Sequence, residues 1–135
     1  MKRSQAAIEY LMIIGFVTLI TIPLIIIYFT SVQDTGDEIS SRQALNIARK
    51  IADASESVYF LGEPSQTTIK AYIPPNVHNA TLNGREVMYV VKTRYGLSEL
   101  VQISSVNMTG SLPIDQGIHS IALKAQSNGV TISYT

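Results

Sequence analysis

QAAIEYLMIIGFVTLITIPLIIIYFTSVQ, residues 5–33, carries a single charged side chain, Glu9, and from Tyr10 to Gln33 it carries none. As an α-helix that uncharged run would be about 36 Å long, enough to cross a hydrocarbon layer roughly 30 Å thick. The run is apolar on every side, as expected of a helix in lipid or in the middle of a helical bundle, and its pattern alone does not choose between the two. A chain built on such a segment is not an ordinary soluble domain.

On the N-terminal side lies Met1-Lys2-Arg3-Ser4, a short basic leader. Lys2 and Arg3 favour a cytoplasmic N-terminus and place residues beyond about Gln33 outside. Glu9 stands at the entry to the apolar run, where a carboxylate costs several kcal/mol unless it is neutralised, paired or held at the interface. Within the run, Pro23 removes a backbone donor and frees the carbonyl of Leu19; Thr18 and Thr21 are near enough in sequence to be expected to help satisfy it. Pro23 reads equally as ordinary membrane-helix tolerance and as a site of filament bending. Gly15 reads equally as a point of close helix approach and as small-residue filler.

On the C-terminal side, DTGDE at residues 34–38 brings the first charges after the run, and Gly36 there costs a helix about 1 kcal/mol relative to Ala. Ile39, Leu45, Ile47, Ala48, Ile51, Ala54, Val58 and Leu61 then recur mostly at three- and four-residue spacing, with Arg42, Arg49, Lys50, Asp53 and Glu56 mainly off that stripe. The pattern predicts one helix over residues 5–62: a membrane or filament-core part at 5–33 and an amphipathic part at 34–62, with Pro23 and Gly36 as its weak points and Gly62 and Pro64 ending it. Residues 63–135 must cover the amphipathic stripe.

From Thr67 the period becomes two. Strands are expected over Thr67–Ile73, Val77–Leu82, about Val87–Tyr95, about Glu99–Val106, Ile118–Ala125 and Val130–Tyr134, with hairpin reversals at Asn83-Gly84 and at Ser127-Asn128-Gly129. Val87, Tyr89, Val91, Thr93 and Tyr95 share one face. The expected fold is α+β: a long N-terminal helix whose outer half packs against a C-terminal antiparallel sheet of six strands.

The first residues resemble the class III signal peptide of archaeal type IV pilins, in which a prepilin peptidase cuts before a Gln in a pattern close to Q-x-S-x-E-Y-L. Gln5, Glu9, Tyr10, Leu11 and Gly15 carry the match; Ala7 stands where the family often has Ser, and Ser4 where Gly or Ala commonly precedes the cut. The resemblance implies cleavage between Ser4 and Gln5, removal of residues 1–4, and a helix that stays on the mature subunit with the β-domain as its head. It further implies that Gln5 and Glu9 act in assembly, Glu9 as an axial register mark. The implied partners are identical subunits in a helical filament, the prepilin peptidase, an assembly ATPase with its membrane platform, and membrane lipid before assembly. Archaellin, a swimming-filament subunit with a related leader, is the nearer alternative; a singly anchored surface binding protein, which would share every feature except the Gln5 motif, is the more distant one.

Composition narrows the chemistry. The chain has 135 residues, no Cys, and ten basic against ten acidic residues; without Lys2 and Arg3, eight basic residues face ten acidic, a formal −2. A chain of this length holds one domain and a membrane segment. Lack of Cys removes disulfides, thiolate metal sites and a Cys nucleophile. No basic run points to nucleic acid. His78 and His119 are distant in sequence and lack a helical i+4 partner, and no glycine-rich phosphate loop is present, so neither enzyme nor cofactor is expected. His119, in phase with Ile121 and Leu123, more often marks a hydrogen-bonded histidine under a sheet than a ligand. Asn79-Ala80-Thr81 and Asn107-Met108-Thr109 are N-glycosylation acceptors if the β-domain is external.

Overall fold

The computed structural model describes residues 2–135, with side chains from Gln5 on; Met1 and the side chains of Lys2, Arg3 and Ser4 lie outside the described residues, and with them the basic leader and the Ser4 side of the expected cut. The fold is α+β. One helix, α1 (Lys2–Leu61), is followed by β1 (Gln66–Ile73), β2 (Val77–Thr93), β3 (Gly96–Gly110), β4 (Gly117–Gln126) and β5 (Gly129–Tyr134). The chain forms two compact units, the first ending at Gly36 and the second comprising Asp37–Thr135.

In the first unit the helix runs unbroken through Pro23. The expected help from Thr18 and Thr21 does not materialise, because a helical hydroxyl reaches only the carbonyls three or four residues earlier. From Thr18 and Thr21 that excludes Leu19. The hydroxyls that do bond backward are those of Thr30, donating to the Ile27 carbonyl at 2.8 Å, and Thr35, donating to the Ser31 carbonyl at 2.9 Å.

In the second unit the helix ends where expected. Gly62 adopts φ 79°, a left-handed conformation that glycine takes without steric cost, and its N–H donates to the Tyr59 carbonyl at 3.0 Å. The stripe turned to the sheet is Ser40, Ala44, Ile47, Ala48, Ile51, Ala52, Ser55 and Val58, all buried. Small residues alternate with aliphatic ones along it, which lets the helix backbone come close to the sheet. Ile39 and Leu61, expected on this stripe, are instead 51% and 76% exposed: Ile39 lies round the helix from the buried Ser40-Ala44-Ile47 line, on the side of exposed Gln43, Asn46 and Lys50, and Leu61 lies past Val58, the last buried residue of the stripe. Opposite the stripe, Ile73, Val87, Tyr89, Val91, Met108, Ile121, Leu123 and Ile132 complete one core.

The sheet order is β1-β4-β5-β3-β2. Five runs of strand backbone stand where six strands were expected, because the segments around Asn83-Gly84 join into β2. Even so, β2 is not straight. The Lys92 N–H donates to the Asn76 carbonyl at 2.8 Å, whereas sixteen residues of extended strand would span about 50 Å. The run therefore doubles back, and Gly84, midway and at φ 62°, is the reversal that the Asn-Gly pair predicts. Tyr95, expected to continue a strand face, lies with Arg94 in the turn between β2 and β3 and is 84% exposed.

One expectation is corrected: the sheet is not wholly antiparallel. Met108–Gly110 of β3 pair with Val130–Ile132 of β5 in parallel register. β5 follows β4 through a tight turn and runs antiparallel to it. It also lies between β3 and β4, which themselves point in opposite directions, so it must be parallel to one of them. The approach of β5 to β3 is close enough to require glycine: a Cβ on Gly110, at φ 122°, would stand 1.9 Å from the Ile132 carbonyl oxygen.

Candidate assembly surface

The unit ending at Gly36 exposes its apolar side chains in every direction. From Ile8 to Val32 the large ones are between 44% and 72% exposed, the lowest being Ile20 and the highest Leu11. Monomeric soluble proteins rarely expose contiguous apolar patches of more than a few hundred Å². This segment therefore needs lipid or other protein around it, and it is long and apolar enough to anchor in a membrane.

Glu9 sits among these residues on the exposed helix surface, flanked by Ile8 and Tyr10, and among the described residues it has no hydrogen bond or ion pair. Gln5 is one helical turn earlier and also exposed, so the two share a face by the i,i+4 relation. An ionised carboxylate in this position must find a cation, a proton or water before the segment can be enclosed.

Two further carboxylates fasten α1 to the sheet backbone. Asp37 Oδ2 accepts from the Arg94 N–H at 2.6 Å, in the turn between β2 and β3. Glu56 Oε1 accepts from the Ser105 N–H at 2.8 Å and from Ser104 Oγ at 3.1 Å. That second contact falls on an irregularity: between the pairs Glu86–Ile103 and Gly84–Met108, one residue of β2 faces four of β3. The displaced backbone has lost ladder partners, and Glu56 supplies an acceptor. These bonds hold the Glu56 carboxyl below its usual pKa, the Ser105 backbone bond contributing most. No local sequence signal marks either role, since the partners are 57 and 49 residues away.

The expected glycan acceptors Asn79 and Asn107 are both exposed, on β2 and β3. Asn79 Oδ1 accepts from the Ala80 N–H at 2.9 Å. His119 donates from Nε2 to the Asp115 carbonyl at 2.9 Å and meets the Tyr134 ring edge-on at 6.0 Å, the hydrogen-bonded setting expected of it. Among the described residues no three His, Asp or Glu side chains converge as metal ligands would. Among the described residues two buried hydroxyls have no hydrogen-bond partner, Ser55 on α1 and Tyr89 on β2; burial pushes the Tyr89 phenol well above its ordinary pKa.

The arrangement thus comprises an exposed apolar helix whose one carboxylate, Glu9, has no partner among the described residues, and a β-domain fastened to the following helix by carboxylates. Compared with known proteins, the chain matches no family profile, no curated protein and no solved structure.

Proposed function

We propose that the chain is a structural subunit of an extracellular type IV pilus-like filament acting in surface adhesion. It is made as a membrane-held precursor, cleaved between Ser4 and Gln5, and assembled through residues 5–33 with identical subunits. The observation that carries this reading is the exposed apolar helix whose only charge from Gln5 to Gln33 is Glu9. An anchor that stayed in lipid would have little use for a carboxylate at the start of its apolar run. In a bundle of identical helices, Glu9 can pair with the new ammonium group at Gln5 of its own or a neighbouring copy.

Burying a large aliphatic side chain from water is worth about 1.5–3 kcal/mol. Assembly starts from lipid, so packing and lipid displacement must supply most of the driving force, and the assembly ATPase the remainder. The precursor's partners are the prepilin peptidase, the membrane platform and lipid, and the mature product lies outside the cell.

The test is the N-terminus of the chain in purified surface filaments, read by mass spectrometry. The proposal expects Gln5. Filaments containing intact Met1 would contradict it, because Lys2 and Arg3 would then be buried unpaired in the bundle at several kcal/mol. An uncleaved chain found only in membranes, in cells that make the peptidase, would favour the anchored surface protein instead.

A further inference from the structure

Three adjacent strands, β1, β4 and β5, contain no Asp or Glu, although the chain has ten acidic residues. Their outward side chains are mainly hydroxyls, amides and two lysines, with Ala122 between them and Ile118, 75% exposed, opposite Tyr72 at one end. The register sets Lys70 opposite Ser120, Thr68 opposite Ala122, and Gln66 opposite Lys124; it then sets Ala122 opposite Ser133 and Lys124 opposite Thr131. Lys70 and Lys124 are two residue rows and one strand apart, about 14 Å between Cα atoms. A shallow groove of about 400 Å³ runs past Thr68, Lys124, Thr131 and Ser133. A second, of about 380 Å³, is lined by Gln43, Asn46 and Lys50 of α1 together with Lys70 and Tyr72 of β1.

None of Lys50, Lys70 and Lys124 has a carboxylate partner among the described residues. Tyr72 is 46% exposed at the end of the same face, its hydroxyl held by Gln116 Nε2 at 3.2 Å. The rest of the outer face is more apolar: on β2 and β3 it presents Met88, Leu97, Val101 and Ile103, with Glu86 and Glu99 among them.

We propose that the outer face of β1, β4 and β5 binds an anionic polysaccharide. The ammonium groups of Lys70 and Lys124 take its acid groups, with Lys50 of α1 past the β1 edge, the hydroxyls of Thr68, Ser120, Thr131 and Ser133 exchange hydrogen bonds with its sugars, and Tyr72 offers one ring for a sugar face. Charge complementarity selects an anion, and the hydroxyl lattice between the lysines selects a hydroxyl-rich one. Single-stranded nucleic acid fits less well, since it is bound on a succession of aromatic platforms along a basic groove. The proposal rests on the adhesive surface role given above only in requiring that this face lie outside the cell; binding by the purified chain is independent of filament formation.

The experiment measures the full chain in micelles of an uncharged detergent against immobilised alginate, a polyuronate, with dextran and single-stranded DNA as comparators, at 50 and 500 mM salt. Alginate should bind, lose most of its affinity at the higher salt as the charges are screened, and exceed both comparators. Lys70→Gln and Lys124→Gln should each weaken binding roughly fivefold, and Lys92→Gln, on the apolar half of the same sheet face, should leave it unchanged. All three are exposed, and circular dichroism checks that each variant keeps the wild-type fold. No binding to alginate at 50 mM salt overturns the proposal. So does an unchanged affinity in the Lys70/Lys124 double variant, an equal loss in Lys92→Gln, or DNA binding as tight as alginate binding.

Discussion

Glu56→Ala removes two hydrogen bonds, from the Ser105 N–H and from Ser104 Oγ, at the one place where β3 departs from regular pairing. Hydrogen bonds to a charged acceptor contribute about 1.5–3 kcal/mol where water is excluded. Ser105 is exposed and water replaces much of that bond, whereas Ser104 is 3% exposed and its hydroxyl is left with less. We expect a net loss of about 1–2 kcal/mol, which for a domain of roughly 100 residues lowers Tm by about 4–16 °C. The loss must depend on pH. These bonds hold the folded carboxyl below the ordinary carboxylate value, so its contribution is present above that value and disappears as pH falls through the folded pKa. Urea unfolding of the full chain in uncharged detergent, followed by far-UV circular dichroism at pH 7 and pH 3, gives the difference between wild type and variant at each pH. A difference under 0.3 kcal/mol at pH 7, or one that is the same at both pH values, refutes the assignment of Glu56 as the support of the β3 irregularity.

Tyr89→Phe deletes a buried hydroxyl that has no partner, so it should be neutral or stabilise the β-domain by up to about 1–2 kcal/mol, seen as an unchanged or higher urea midpoint. Asn79→Gln and Asn107→Gln, at exposed positions, should change stability by no more than about 0.5 kcal/mol while removing glycan from the surface-derived protein, as peptide mapping would report. Glu9→Leu should leave cleaved, membrane-resident subunits and few or no filaments; normal filament number and length in that strain would reduce Glu9 to an interfacial charge.

How much could be read in advance depended on how local the cause was. The helix was legible because its causes are local: an uncharged run, a three-to-four spacing, and a terminator at Gly62. The reversal at Asn83-Gly84 was legible for the same reason, although strand backbone continues through it. Ile39 and Leu61 fit the periodicity and still lie in the open, because a spacing of three to four fixes neither the centre of the buried line, here Ser40, Ala44 and Ile47, nor how far along the helix the covering sheet extends. The parallel pairing of β3 with β5 follows from a later strand inserting between two earlier ones, which no local pattern announces. Asp37 and Glu56 looked like solvated charge, since a carboxylate that accepts backbone N–H bonds from a distant strand has the same sequence signature as one that accepts from water. Glu9, by contrast, stood out because its neighbours make a charge conspicuous.

The central proposal, a filament assembled through the exposed helix at residues 5–33, is tested most directly by electron microscopy of the cell surface with and without this chain, with the chain's helix located in a reconstruction of any filament that disappears. The account predicts that one class of filament is lost and that its interior is a bundle of these helices, each starting at Gln5. An unchanged set of filaments in cells lacking the chain, or a filament whose interior is built from another protein, would contradict it.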